Sequence, residues 1–384
     1  MNDLSKSIHL NKEQVVKSGS IYTPNYLVDL VYNMIYEYIN EDSIIADFGA
    51  GYGAFLNKFT HLGKRRIATE IDQFSYNFLK ENYLNCEIYC ENSLINVSRK
   101  KYKILKKDKL IIIGNPPYND VTSIYKKGNK GNIACDEDLI TRDLGICFLK
   151  AYYKLNANYI CVLHPLSYLI KKQNFNLLKE FKNNYKLIKG VIFSSKEFTT
   201  ISKKNSDFPV VAALYEKDNN GMTYEYIKNF EFNIFKDSNT FKIKNILTID
   251  GIINKYPKKN NKTKIQFYTL RDMNSLMRNT TFFIGPKNNG INVDIDNLYQ
   301  YSWLYFLKNN FNPPKNNFIY NNLSPLYFNE LENYKYKNLV VSYAYNNCKI
   351  LNENINIEII EKKYGKLTNN YQPLYQILKK LYII

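Results

Sequence analysis

Short β-branched runs alternate with segments of helical period, and this alternation constrains the fold more than any other feature. The runs are Ile44–Phe48, Arg66–Glu70, Glu87–Cys90, Leu110–Gly114, Tyr159–Leu163, Leu187–Phe193 and Val210–Tyr215. Before the first, Leu27, Leu30, Val31, Met34, Ile35 and Tyr38 recur at helical spacing. Phe55, Leu56 and Phe59, then Phe74, Phe78 and Leu79, then Leu144–Leu155 predict further helices. Strands alternating with helices predict a mostly parallel, seven-stranded α/β sheet with helices on both faces.

The pattern fades at Lys217-Asp218-Asn219-Asn220-Gly221. A boundary is expected there, giving domains 1–218 and 219–384. The second part is rich in Asn, Lys, Tyr and Phe and predicts a mixed α+β domain. It shows helical segments at Leu298–Leu307 and Leu374–Tyr382. At 384 residues and 45% hydrophobic, the chain can bury a core in each part.

Net charge is +18, which favours a polyanionic partner. Asn, Lys, Ile and Tyr are all abundant, as AT-rich codon usage would give, so charge alone does not decide for nucleic acid. The six cysteines form no Cys-x-x-Cys pair, and no histidine lies near a cysteine cluster. No zinc site is expected. Scattered thiols without a signal-peptide pattern lead us to expect the cytoplasm. No apolar run reaches the length of a membrane span.

Two loops carry chemistry. The first strand runs into Asp47-Phe48-Gly49-Ala50-Gly51-Tyr52-Gly53, whose glycines permit a tight turn and close approach to a ligand. No phosphate-loop motif is present. Glu70 closes the second strand, where a carboxylate can bind two ribose hydroxyls. The fourth strand, Leu110–Gly114, runs into Asn115-Pro116-Pro117-Tyr118. The prolines fix their own φ, offer no N–H, and push the preceding residue toward extended geometry. A rigid loop thus presents an amide, bare carbonyls and an aromatic ring. Such a loop can accept hydrogen bonds from an amino group while stacking on a flat ring. Asn312-Pro313-Pro314-Lys315 repeats the first three residues but follows a polar segment and lacks the ring, so it reads as a turn.

Together these motifs resemble the adenine-N6 amino-methyltransferases of DNA, in the gamma arrangement typified by the Taq enzyme of restriction–modification systems. The likeness in motif order covers residues up to about 218. It implies a Rossmann-like domain that binds S-adenosylmethionine, followed by a target recognition domain. It implies that Tyr22, Thr23 and Pro24 cover the methionine end of the cofactor. Asp47, Phe48, Gly49, Ala50 and Gly51 would form the glycine motif, Glu70 would hold the ribose, and Ile71 would pack on the cofactor adenine. Asn92, beside Ser93, falls where the family usually has Asp, and its amide oxygen can still accept a hydrogen bond. Phe148 is a further pocket residue. Asn115, Pro116, Pro117 and Tyr118 match the catalytic motif residue for residue, with Asn115 also at the cofactor. Phe198 would supply an aromatic contact to the target base, with Phe193 as rival.

The resemblance implies double-stranded DNA as partner, with the target adenine turned out of the stack. A restriction–modification setting would add a separate cognate endonuclease. Phosphate contacts are expected from Lys126, Lys127 and Lys130 in the loop after the catalytic motif, and from Lys258, Lys259, Lys262 and Lys264. Arg271 and Arg278 are candidate base readers. Asp136-Glu137-Asp138 reads as a solvated run, and no metal is expected. The same Asn-Pro-Pro-Tyr loop also serves enzymes that methylate RNA bases or a protein glutamine. The glutamine enzymes usually place their extra domain first, whereas here it follows. A non-catalytic DNA-binding specificity protein is a third reading, against which the intact motif speaks. A fused methylase–nuclease would need a carboxylate–lysine nuclease pattern, and none stands out.

Overall fold

A computed structural model describes residues 23–118, 134–198, 207–245, 264–268, 273–278, 281–285, 290–311, 317–323 and 328–381. The chain divides into two compact units, Met1–Ile243 and Lys244–Ile384. Among the described residues no helix is long and apolar enough to cross a membrane.

The first unit is built on strands β1 (Ile44–Phe48), β2 (Arg65–Glu70), β3 (Glu87–Cys90), β4 (Leu110–Gly114), β5 (Tyr159–Pro165), β6 (Tyr185–Ser194), β7 (Pro209–Lys217), β8 (Phe232–Ile234) and β9 (Thr240–Phe241). They form one sheet in the order β3-β2-β1-β4-β5-β7-β6-β8-β9. Strands β3, β2, β1, β4 and β5 run parallel. β7 inserts antiparallel between β5 and β6. The α/β, mostly parallel, Rossmann-like class expected from the sequence is therefore present, with nine strands among the described residues rather than seven.

The two extra strands move the boundary. The stretch at 217–221 is a turn within the first unit, not a linker. Asp218 N–H donates to Asn184 O at 2.9 Å and Met222 N–H to Lys182 O at 2.7 Å. β8 then pairs parallel to β6, so the unit ends at Ile243 and not at residue 218.

Strand order explains where a ligand can enter. From β1 the chain steps outward through β2 to β3, then returns to β4 on the other side of β1. This reversal is a topological switch point, and it opens a crevice beyond the carboxyl ends of β1 and β4. Ile44, Ile45 and Ala46 pair with Leu110, Ile111 and Ile112, which aligns those two ends. Every residue of both strands is buried. Each enclosed Ile contributes about 1.5–3 kcal/mol, so the frame of the crevice is stiff.

Helices α1 (Asn25–Ile35), α2 (Ala54–Lys58), α3 (Gln73–Asn82), α4 (Leu144–Lys154) and α5 (Ser167–Ile170) surround the sheet. α1 buries Leu27, Val28, Val31, Met34 and Ile35, the periodic face seen in the sequence. They pack in one core cluster with Ile111, Ile113, Leu163, Phe193 and Phe198.

The second unit holds a three-stranded antiparallel sheet of β10 (Ile265–Tyr268), β11 (Phe282–Ile284) and β12 (Gly290–Asn292). Helices Leu298–Asn310, Tyr334–Asn347, Lys349–Asn354, Ile357–Tyr364 and Gln372–Leu381 accompany it. Trp303 is its largest fully buried side chain.

Candidate active site

The two sequence loops meet at the switch point. Beyond β1, Gly49, Gly51 and Gly53 adopt φ of 131°, 56° and 79°, angles that side-chain-bearing residues rarely take. Gly49 and Ala50 N–H donate to Thr69 O at 3.1 and 3.0 Å, which pins the loop to β2. Gly51 N–H donates to Glu70 Oε2 at 2.8 Å. Glu70 Oε1 accepts from Ile71 N–H at 2.8 Å and Asp72 N–H at 2.9 Å. Burial pushes the Glu70 carboxyl up, and these three N–H groups pull it partly back. Glu70 thus organises the rim of the loop, with about one lone-pair site, on Oε2, remaining for a ribose hydroxyl.

Asp47 lies at the floor and is only 2% exposed. Its Oδ2 is buried and has no hydrogen-bond partner among the described residues. Burial pushes this carboxyl well above the usual carboxylate range, and the charge of Glu70 adds to the shift. A buried orphan oxygen of this kind is expensive unless a donor or cation meets it. The ammonium and sulfonium of S-adenosylmethionine are such groups, so the residues present fit that cofactor.

The Asn115–Tyr118 loop is locked to the glycine loop. A Cβ on Gly114 would fall 2.6 Å from Asp47 Oδ1, and φ there is +141°. A Cβ on Gly49 would touch Pro117 Cδ at 3.7 Å. Asn115 Nδ2 donates to Thr23 Oγ1 at 3.1 Å, which orients the amide so that Oδ1 is the acceptor end. Thr23 is itself buried and precedes Pro24, whose carbonyl receives the N–H groups of Leu27 and Val28 at the start of α1. Tyr118 is half-buried, packs against the core cluster, and has a hydroxyl without a hydrogen-bond partner among the described residues. Burial pushes its phenol up.

Several other expected residues take different places. Ile71 is 68% exposed, an open apolar surface beside Glu70 suited to a purine face. Phe148 is buried, and its ring is 6.1 Å from Tyr152, which in turn lies 6.2 Å from Phe48. Ser93 is bonded to Thr69 through their hydroxyls. Asn92 serves the loop: its Oδ1 accepts from Leu94 N–H at 2.9 Å and its Nδ2 donates to Ala134 O at 2.6 Å. The amide closes a turn, and its oxygen keeps a second lone pair.

Phe198, expected at the target base, is 1% exposed and belongs to the core, edge-on to Phe193 at 5.7 Å. The backbone there is fixed by Ser195 N–H to Phe208 O at 2.9 Å, Phe208 N–H to Ser195 Oγ at 3.1 Å and Ser194 Oγ to Asp207 at 2.6 Å. Enclosing an apolar ring wins over presenting it to solvent. Phe193 is likewise covered, and both rings belong to the core cluster against which Tyr118 packs.

Asp136 is structural. It accepts from Asn96 and Val97 N–H at 2.7 and 3.0 Å and pairs with Lys154 at 2.9 Å. Tyr22, Lys126, Lys127, Lys130, Lys258, Lys259, Lys262, Arg271 and the turn at 312–315 lie outside the described residues, as does the side chain of Arg278. Sequence reasoning did not find the Thr23–Asn115 bond or the abutment of Gly114 on Asp47. Both are long-range, and no local pattern signals them.

No family model matches the chain, and no curated protein matches it. Solved structures resemble it distantly. A dimethyladenosine transferase from Plasmodium falciparum aligns at TM-score 0.35 and 16% identity over 52% of this chain and 64% of that one. The 23S rRNA methyltransferase ErmE aligns at 0.34 and 12% over 52% and 70%. A TehB-like SAM-dependent methyltransferase from Corynebacterium glutamicum aligns at 0.31 and 10% over 49% and 87%. Likeness this distant leaves the fold assignment resting on the strand order.

Proposed function

We propose that this chain transfers a methyl group from S-adenosylmethionine to the N6 amino group of an adenine in double-stranded DNA. One observation carries the reading: a buried Asp47 oxygen with no hydrogen-bond partner among the described residues lies in the same switch-point crevice as the Asn115–Tyr118 loop.

Asp47, the glycine-loop backbone and Thr23 would hold the methionine end, with Glu70 on the ribose and Ile71 against the purine. When bound, this cofactor supplies a methyl carbon activated by a positively charged sulfur. The adenine amino lone pair is delocalised into its ring and is a poor nucleophile. Asn115 Oδ1 and the Pro116 carbonyl accept its two hydrogens and favour a pyramidal nitrogen with a localised lone pair. As the nitrogen gains positive charge these bonds strengthen, so they act on the transition state more than on the ground state. Neither oxygen is basic enough to keep the departing proton, which passes to water. The Thr23 bond keeps the amide oxygen from rotating away, a positional contribution.

The amino group of a paired adenine is engaged within the duplex, so the base must leave the stack at a cost of a few kcal/mol. Stacking on the Tyr118 ring returns about 1–3 kcal/mol. The unit Lys244–Ile384 is the expected reader of the target. Its basic residues would contact phosphates.

Replacement of Asn115 by Ala is expected to lower turnover by roughly 10²–10³-fold, in line with loss of one transition-state hydrogen-bonding group. Calorimetric binding of S-adenosylmethionine should persist. Near-native turnover in this variant would refute the mechanism.

A further inference from the structure

Behind Tyr118 lies a buried assembly that the proposed chemistry does not use. Helix α4 starts at Leu144 with Asp143 as its cap, and Asp143 Oδ1 accepts from Gly145 N–H at 3.0 Å. The Tyr168 hydroxyl donates to the same oxygen. Tyr168 is 1% exposed and stacks on His164 with centroids 5.3 Å apart and planes at 13°. His164 stacks in turn on Tyr215 at 6.0 Å and 15°. The imidazole is fixed at both nitrogens, with Nε2 bonded to Tyr215 Oη at 2.7 Å and Nδ1 to Pro165 O at 3.0 Å. Tyr168 is thus immobilised on a column of three rings rising from β5 and β7.

Gly145 fills the space between this column and the catalytic loop. A Cβ there would fall 2.5 Å from Tyr168 Oη and 3.1 Å from Tyr118 Cβ. Tyr118 has no polar anchor, because its enclosed hydroxyl makes no hydrogen bond among the described residues. Its location is therefore set by packing: the core cluster lies against it, and on the Cβ side the absent side chain of Gly145 leaves just enough room. We propose that Gly145, backed by the Tyr168–Asp143 hydrogen bond, is the positioning element that sets the Tyr118 ring against the target base. The inference rests on the reading of Tyr118 as the stacking ring. Gly145, Asp143 and Tyr168 act through Tyr118 in this proposal, as positioning residues.

The test uses the full chain with 3-fluorotyrosine installed at position 118, read by fluorine NMR and by steady-state methylation of plasmid DNA. In Gly145→Ala the added methyl group must displace Tyr118 or Tyr168. Because a shift on the order of 1 Å can cost 10²-fold, kcat is expected to fall by roughly 10–10²-fold. KM and S-adenosylmethionine binding should stay near wild type, while the fluorine resonance moves. Adding Tyr168→Phe removes the nearest clashing atom, and is expected to recover part of kcat and return the resonance toward its original position. If Gly145→Ala does not fold, Tyr168→Phe alone replaces it, with a several-fold fall in kcat and a displaced resonance expected. An unmoved resonance with unchanged kcat overturns the proposal. So does a fall in both kcat and binding with the resonance in place, which marks a merely structural role. Should wild type methylate no DNA, the substrate reading fails, and the fluorine resonance alone still decides whether Gly145 positions Tyr118.

Discussion

Gly114→Ala tests the coupling of the two loops. Gly114 is the last residue of β4, immediately before Asn115. A methyl group there would sit 2.6 Å from Asp47 Oδ1, closer than real Cβ contacts come, at a φ of +141° that Ala does not adopt without strain. The backbone strain is worth about 1–3 kcal/mol. On a unit of this size that lowers Tm by roughly 2–10 °C. Relieving the clash needs a displacement of roughly 1 Å, borne either by the Asp47 carboxylate or by the catalytic loop, and either misplacement is expected to lower turnover by ~10²-fold. The Asp47 route weakens cofactor binding, and the loop route leaves it intact with kcat alone reduced. Tritium transfer from labelled S-adenosylmethionine, calorimetry and a thermal melt together distinguish the two. If the variant melts normally and turns over within a few-fold of wild type, the abutment of Gly114 on Asp47 does not hold the site together.

Three further expectations follow from the same geometry. The folded-state pKa of Asp47 is raised, so the folded protein loses stability as pH climbs from the usual carboxylate range toward that raised value. Asp47→Asn should therefore raise Tm near neutral pH while abolishing cofactor binding, with the stability gain fading below about pH 4, near the unfolded aspartate pKa; a neutral-pH Tm at or below wild type would count against it. Thr23→Val keeps the shape but removes the acceptor for Asn115 Nδ2, and kcat is expected to fall about tenfold, the size of one lost net hydrogen bond, while DNA KM stays unchanged; a kinetic assay with equal kcat in both proteins would show that the amide needs no anchor. Phe198→Ala should destabilise by about 3–5 kcal/mol through a core cavity, and denaturant unfolding with no loss of stability would instead return Phe198 to the base-contact role.

The fold was largely legible because the informative strands are buried. Ile44–Phe48 and Leu110–Gly114 are buried throughout and, Asp47 aside, apolar, as central parallel strands are. The face of α1 was readable from its period, since only one side of that helix meets the core. The short strands Phe232–Ile234 and Thr240–Phe241 escaped notice because two or three residues carry no periodicity. Helix Tyr334–Asn347 was missed for a different reason. It buries the continuous run Leu339–Tyr345, so no amphipathic stripe shows, and Tyr, Asn and Val have modest helix propensity.

At the site, the loops were legible and their assembly was not. Glycines after a first strand and Asn-Pro-Pro-Tyr after a fourth are local signals. That Asp47 abuts Gly114, or that Thr23 holds Asn115 from 92 positions away, depends on tertiary packing. Phe198 was not decided by sequence, because an aromatic in a late strand–turn segment looks the same whether it faces a ligand or the core. In the structure the ring is buried edge-on to Phe193.

The central claim is that the Asn115 loop presents an adenine amino group to a methyl donor held over Asp47. Its most direct measurement is incubation of the purified chain with methyl-labelled S-adenosylmethionine and unmethylated plasmid DNA, followed by nucleoside mass spectrometry. The expected labelled product is N6-methyldeoxyadenosine, absent with Asn115→Ala. Label recovered on RNA, on a protein side chain or on cytosine, with adenine in DNA unmodified, would contradict it.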